Sequence, residues 1–301
     1  MIYTVTFNPA IDYVVHLEKK LDAGMTNRSA AEEIYYGGKG INVSIVLNNL
    51  GVASTVFGFV AGFTGDEIQT AIEKMGIKSD FIRLPAGFSR INVKLKGEAE
   101  TEINAQGPKI DQDSISRLFD KLDALTDGDV LVLAGSIPNT LPADIYERIM
   151  ARLQDKKIEI VVDATKDLLV NVLKYHPFLI KPNNHELGEI FGRELKTNEE
   201  IIACAAKLQE MGARNVLISM AGAGAILLTE HGGQHRIGVP NGKVKNSVGA
   251  GDSMVAGFIA GFLESGDYRT ALRVGTAAGS ATAFSDGLAE KGTVLQLLKS
   301  I

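Results

Sequence analysis

The chain has 301 residues, 45% hydrophobic and 22% charged, an ordinary globular composition long enough for one large α/β domain or two smaller ones. A net charge of -5 with no Lys/Arg block argues against nucleic-acid and membrane-surface roles. No run approaches the roughly 18 apolar residues of a membrane span, no basic leader opens the chain, and the single cysteine, Cys204, has no internal partner; a buried apolar Cys204 in a cytoplasmic protein is the expectation.

Met1 to Phe7 alternates β-formers and predicts a strand stopped by Asn8-Pro9. Asp12 falls at a strand end or in the loop beyond it, and Tyr13 to Leu17 predicts a second short strand. Glu33 to Tyr36 is strand-like again, and Gly37-Gly38-Lys39-Gly40 leads into a helix over Ile41 to Leu50. A strand over Thr55 to Val60 and a helix over Gly65 to Met75 follow, then strands over Phe88 to Lys96 and Thr101 to Asn104 that can pair as a hairpin.

From about residue 111 the pattern alternates regularly. Helices are expected at 111–125, 142–154 (opened by Pro142), 166–175, 184–191 and 198–211. Strands are expected at Val130 to Ala134, Ile158 to Val162, Phe178 to Ile180 and Asn215 to Ser219. Ala225 to Thr229 and His235 to Val239 are strand-like, and two helices, 252–264 and roughly 268–284, come near the end. Such alternation predicts a parallel sheet covered on both faces. The four short strands near 12–17, 32–36, 88–96 and 101–104 break the rhythm and read as a small separate sheet. With no repeat or linker, one domain with an insertion is expected.

The stretch Asn246-Ser-Val-Gly-Ala-Gly-Asp252 carries the sharpest chemical signal. Gly249 and Gly251 bracket Ala250, so the backbone there can come close to a ligand. Behind it Met254, Val255, Phe258, Ile259, Phe262 and Leu263 recur at helical spacing. A turn opening a helix offers free N–H groups and roughly +0.5 charge to an anion. Asp252 at that point would repel a phosphate. It is therefore either a helix cap or a base that takes a proton from a hydroxyl attacking phosphorus.

In open α/β sheets ligands bind beyond the carboxyl ends of the strands. That makes Asp12, Ser136, Asp163, Lys181, Asn183, Glu186 and Ser219 further candidates. No Gly-x4-Gly-Lys-Ser/Thr occurs, and Gly38 to Val43 fails the dinucleotide pattern at its last glycine. No zinc spacing is present, and His185 reads as a solvated surface residue.

In order along the chain, Gly37-Gly38-Lys39-Gly40-Ile41-Asn42, Lys181-Pro-Asn-Asn-His-Glu186 and Asn246 to Asp252 resemble the ribokinase-like sugar kinases of the PfkB carbohydrate kinase family. The likeness runs over nearly the whole chain. It implies a ribokinase-like three-layer α/β sandwich with a mostly parallel central sheet, a single domain over 1–301, and a small β-sheet lid from segments about 12–36 and 88–104. Within the family, Thr4 to Tyr13, Arg90-Ile-Asn-Val-Lys94 and Leu133-Ala-Gly-Ser136 are most similar to members acting on ketohexose phosphates. The implied reaction is ATP-dependent phosphorylation of fructose 1-phosphate at its free primary hydroxyl, giving fructose 1,6-bisphosphate. Tagatose 6-phosphate is the alternative acceptor.

The resemblance also implies roles. Asp252 would be the catalytic base, with Gly249, Ala250 and Gly251 supplying N–H groups to the transferring phosphoryl. Asp12, Gly38, Lys39 and Asn42 would hold the sugar, with Ser136 beside them. Arg90 and Arg28 suit bidentate phosphate recognition, although Arg28 reads equally as a solvated charge. Lys181, Asn183, Ser219, Ala221, Gly222 and Gly224 would line the nucleotide. Ala278, Gly279 and Ser280 suit an adenine slot or, equally, close helix packing. Glu186 would reach Mg²⁺ through water, or close a helix cap with Asn183. A monovalent cation is a further implied ligand near Asn246, where many members have Ser, Asp or Thr. The small sheet carries apolar Tyr13, Val15, Ile34, Tyr36, Ile91 and Val93, more than it can cover alone, so a homodimer through the lid sheets is expected. Two other classes compete. A non-catalytic binder would have lost Asp252. A nicotinamide enzyme would need a Gly-rich turn where Asn8-Pro9-Ala10 stands.

Overall fold

The computed structural model describes residues 1–301. The buried strand β1 (Ile2–Thr6) opens the chain, which then runs out through β2 (Ala10–Leu17) and back through β3 (Ser29–Gly37). Helix α1 (Lys39–Leu50), strand β4 (Thr55–Val60) and helix α2 (Gly62–Lys74) return it to the main sheet. Two-residue strands β5 (Lys78–Ser79) and β6 (Ile82–Arg83) precede a second excursion, β7 (Arg90–Lys96) and β8 (Thr101–Ile103). Then come α3 (Gln112–Asp123), β9 (Val130–Ala134), α4 (Ile145–Leu153), β10 (Glu159–Asp163), α5 (Lys166–Val170) and β11 (Leu179–Ile180). Helices α6 (Asn184–Ile190) and α7 (Asn198–Glu210) lead to β12 (Asn215–Ser219), β13 (Ala225–Leu228) and β14 (Gln234–Ile237). Three helices end the chain: α8 (Ala250–Ser265), α9 (Tyr268–Ala283) and α10 (Lys291–Leu298).

The main sheet runs β14-β13-β12-β11-β10-β9-β1-β4-β5, with β6 also on β4. It is parallel from β12 to β5, and β13 and β14 add an antiparallel edge. Val130–Ala134 and Thr55–Val60 are buried at every residue, as continuous apolar runs covered on both faces must be. Side chains from α3 to α7 fill one face of the sheet, and those from α1, α8, α9 and α10 fill the other. The fold is therefore three-layered. Because β1 lies between β4 and β9, the strand order reverses there, and a crevice opens at the carboxyl ends. No helix is long and apolar enough to cross a membrane.

The four-stranded second sheet has the order β3-β2-β7-β8, with β7 and β8 paired antiparallel as expected. Its register places Asp12, Val14 and His16 on one face with Tyr35, Glu33, Arg90, Asn92, Lys94 and Glu102. The opposite face carries Tyr13, Val15, Ile34, Val93, Leu95 and Ile103. On that face Ile11, Tyr36 and Ile91 pack into the chain's own core with Ile41, Ile68 and Ile72, whereas Ile34 and Ile103 stay 54% and 58% exposed.

Several boundaries differ from expectation. Asp12 lies inside β2, because pairing to β3 and β7 resumes at Ala10, directly after Pro9. Pro142 precedes α4 instead of opening it; its carbonyl accepts from Ile145 N in a turn. The 166–175 helix is two pieces, α5 and a 3-10 turn over Leu173–Tyr175, ended by His176 in left-handed conformation. The short β5 and β6, and α10, have too few periodic residues to announce themselves.

Candidate active site

Two helix starts meet at the crevice. At α1, Gly38 is the N-cap with φ 132°, a value that side chains avoid, and a Cβ there would run into Thr6. The Thr6 hydroxyl at the end of β1 accepts from Ile41 N at 2.9 Å, fixing α1 to the sheet. At α8, Gly249 is the N-cap with φ 79°, and a Cβ there would stand 2.6 Å from Leu288. The N–H groups of Gly251 and Asp252 have no acceptor in the protein, so this helix start can receive an anion.

Asp252 is not the cap. It sits in the first turn of α8, 5% exposed, and Asn42 Nδ2 donates to its Oδ2 at 2.8 Å. Asp163, at the end of β10, is buried and bridges two lysines: Lys39 Nζ at 3.2 Å from Oδ2 and Lys181 Nζ at 3.3 Å from Oδ1. Burial alone would raise the Asp163 carboxyl, but Lys181 and Lys39 hold it below the usual carboxylate range. For Asp252, burial is the largest influence and Asp163's charge adds to it. Against the pull of Lys39, Asn42 and Lys181, its pKa is pushed up to about 6. Burial would lower the Lys39 ammonium, yet Asp163 and Asp252 raise it above its ordinary value. One carboxylate is thus locked ionised while the other is poised near neutrality, the separation that acid–base chemistry uses.

On the second-sheet side, Asp12 and Asn42 converge over Gly37: a Cβ placed there would lie 3.6 Å from Asp12 Oδ2 and 3.5 Å from Asn42 Oδ1. Asn92 Nδ2 donates to Asp12 Oδ1 at 2.8 Å, and Lys94 Nζ stands 4.0 Å from Oδ2. Arg90 pairs with Ala10 in the register, and its Nε donates to Asn8 O at 3.0 Å; burial lowers its pKa and Asp12 opposes that. Ser136, exposed, follows Gly135, whose Cα faces the Lys39 stem. Arg28 does not join this group. It is exposed, ahead of β3 at the sheet's far tip, seven residues from Tyr35, which pairs with Asp12. At strand rise that is roughly 20 Å away, so the chain's own fold keeps Arg28 out of its own site.

On the far side of Asp252, a Cβ at Gly251 would meet Lys181 Nζ at 3.1 Å, so Lys181 lies against the start of α8. Asn183 and Ser219 form an isolated parallel bridge, placing the ends of β11 and β12 together. Ala221–Ala223 is an exposed 3-10 turn, with Ala221 at φ 46° and Gly224 at φ 95°. Asn183 caps α6, and Glu186 Oε2 accepts from Asn183 N at 2.8 Å, a complete capping box. Glu186 Oε1 takes no protein partner, and no cluster of three or more metal-ligating side chains exists. That donor set suits an ion such as Mg²⁺, which takes one or two carboxylates and keeps its water. Gly279 is buried in the α8–α9 contact, where a Cβ would lie 3.1 Å from Ala250 O. Ala278 and Ser280 beside it are buried too.

Asp163 reads in sequence only as a strand-end candidate, and nothing there announces its lysine bridge. Asn92 and Lys94 were also missed. The signal was present, since positions two and four beyond Arg90 share its face on a strand.

Residues 1–293 match the pfkB family carbohydrate kinase pattern. The 1-phosphofructokinase of Bacillus subtilis (strain 168) is 46% identical over 301 residues, 100% of this chain and 98% of its own. The D-tagatose-1-phosphate kinase of Bacillus licheniformis is 37% identical, over 100% of this chain and 98% of its own. A crystal structure from Staphylococcus aureus matches with a TM-score of 0.90 at 40% identity, covering 100% of this chain and 97% of that one. With the crevice, the paired helix starts and the poised carboxylate, these matches settle the relationship: the chain belongs to the pfkB family of carbohydrate kinases.

Proposed function

We propose that the chain transfers the γ-phosphoryl group of ATP to the carbon-6 hydroxyl of fructose 1-phosphate, giving fructose 1,6-bisphosphate and ADP. The observation that carries the reading is Asp252: a buried carboxylate with pKa about 6, in the first turn of a helix where the N–H groups of Gly251 and Asp252 are unpaired. Asp252 accepts the hydroxyl proton as that oxygen attacks the γ-phosphorus, and the bond to the β–γ bridging oxygen breaks to release ADP. The free N–H groups of Gly251 and Asp252 receive the charge on the transferring group, whereas the N–H of Ala250, expected to share that role, is spent on Ser247 O at 3.2 Å. Lys39 and Lys181, held by Asp163, flank the path from either side.

Asp12 and Asn42 face the sugar hydroxyls, and Arg90, with Ser136 nearby, faces the existing phosphate at the opposite end. Both named relatives take a ketohexose carrying its phosphate on carbon 1 by their names. That supports a carbon-1 phosphate at the far end and replaces tagatose 6-phosphate with tagatose 1-phosphate as the second reading. Lys181, Asn183, Ser219 and the turn Ala221 to Gly224 would line the nucleotide. Mg²⁺ bound with ATP would neutralise phosphate oxygens, with Glu186 holding its water. Asn246 Oδ1 accepts from Val248 N at 3.0 Å, and a monovalent cation there would take backbone carbonyls with that oxygen's second lone pair.

The finer organisation is part of the same reading. Residues 1–301 form one domain, and the second sheet is a lid whose polar face covers the sugar. Its exposed Ile34 and Ile103 form the dimer surface, and the reaction runs in the cytoplasm. Incubation with ATP, Mg²⁺ and fructose 1-phosphate, followed by ³¹P NMR of the product, tests the reaction. A bisphosphate with stoichiometric ADP is expected. ADP release without sugar phosphorylation would overturn it.

A further inference from the structure

The polar face of the second sheet holds a row that the reaction as described does not use. Lys94, on β7, has a side chain only 19% exposed, with its ammonium 4.0 Å from Asp12 Oδ2 and 3.6 Å from Glu102 Oε1 on β8. Asn92, two residues earlier on the same face, is buried. Its Oδ1 accepts from Ala105 N at 3.2 Å, which fixes the amide, so its Nδ2 must donate to Asp12 Oδ1 at 2.8 Å. Each oxygen of Asp12 therefore has its own support, one from an amide and one from an ammonium. The carboxylate is held in one orientation from both sides.

The row continues inward. Asp12 and Asn42 converge over Gly37, and Asn42 is bonded to Asp252. Resting on the proposed reaction, carbon 6 of the sugar lies at Asp252. The vicinal hydroxyls at carbons 4 and 3 then fall between Asn42 and Asp12, where the Asp12 carboxylate faces carbon 4 as well as carbon 3. Fructose and tagatose differ only in the configuration at carbon 4. A carboxylate locked in one orientation can accept from one epimer and leave a mispaired group with the other, whereas a free one adapts to both.

We infer that Lys94 and Asn92 are positioning residues that lock Asp12 and so set the discrimination between carbon-4 epimers of a ketohexose 1-phosphate. Steady-state kinetics with fructose 1-phosphate and tagatose 1-phosphate, on wild type, Lys94→Met, Lys94→Arg and Glu102→Gln, test it. In Lys94→Met the KM for the preferred epimer should rise about tenfold, with kcat and the KM for ATP little changed. The ratio of kcat/KM between epimers should fall towards one, and Lys94→Arg should restore most of it. Glu102 competes for the same ammonium from an exposed edge strand, so Glu102→Gln, which should fold normally, is expected to keep or sharpen the ratio. If both epimers weaken equally in Lys94→Met, Lys94 grips the phosphate directly and the inference fails. An unchanged KM, or a collapsed ratio in Glu102→Gln, also overturns it. Wild type that turns over neither sugar would refute the proposed reaction instead.

Discussion

Replacing Asp252 by Asn should make the protein more stable and nearly inactive, and the structure gives both magnitudes. The carboxyl is moved by burial from an ordinary 3.8 to about 6. A raised folded-state value means that the folded protein resists ionising this group. The penalty is absent below pH 3.8, grows as pH rises, and is complete above pH 6. Two pKa units and a little more correspond to about 3 kcal/mol. Asn keeps the shape and can still accept from Asn42 Nδ2, but it carries no charge. Urea unfolding at pH 7.5 should therefore show Asp252→Asn more stable by up to about 3 kcal/mol, and the gain should shrink to roughly half at pH 5. Loss of the general base should lower kcat by about 10²–10⁴ while ATP affinity holds. In wild type the base works only when ionised, so kcat/KM should rise with pH through about 6. The sugar phosphate titrates nearby, at about 6. Asn42→Ala separates the two, because it removes a hydrogen bond that lowers the Asp252 value: a limb set by Asp252 moves up, and one set by substrate stays. Near-normal turnover in the variant would place the base elsewhere, and the same stability change at both pH values would mean that Asp252 is not a penalised buried charge.

Other outcomes follow from the same geometry. One guanidinium N–H of Arg90 is spent on Asn8, leaving the outer edge for phosphate; Arg90→Ala should raise the sugar phosphate KM roughly ten- to a hundredfold and leave that of ATP nearly unchanged, and equal damage to both would contradict the assignment. Gln serves a capping box as Glu does, so Glu186→Gln should keep the thermal midpoint while the Mg²⁺ concentration for half-maximal rate rises about tenfold; an unchanged Mg²⁺ requirement removes Glu186 from the metal site. Sedimentation at micromolar concentration should show a dimer that Ile34→Lys dissociates, whereas a wild-type monomer would remove the second sheet as an interface.

The parallel sheet was legible because long, fully buried strands leave continuous apolar runs, and the helix starts because glycines precede helical periodicity. Cap and base look alike in sequence, so the proposed base role of Asp252 rested on the company of other motifs. The structure separates them: Gly249 caps, and Asp252 turns inward to Asn42. The Lys39–Asp163–Lys181 bridge was not legible, because its members come from three elements 124 and 18 residues apart. The distance of Arg28 from its own chain's site was not legible, because sequence shows the charge but not the strand length that carries it away. Gly279 stays open between the two readings, because small residues in a helix serve packing and ligand slots equally. Pro142 marked a turn where a helix start was expected, since its fixed φ suits both.

On the proposed reaction, the site takes a ketohexose with its phosphate on carbon 1 and phosphorylates carbon 6. The most direct test is the ratio of kcat/KM for fructose 1-phosphate to those for fructose 6-phosphate and tagatose 6-phosphate, with saturating ATP and Mg²⁺ in an ADP-coupled assay. A reversed substrate would present the wrong hydroxyls to Asp12 and Asn42, and a mispaired buried polar group costs about 1–3 kcal/mol. The expected ratio is therefore at least about tenfold in favour of fructose 1-phosphate. A ratio near one, or a preference for either 6-phosphate, would contradict the claim.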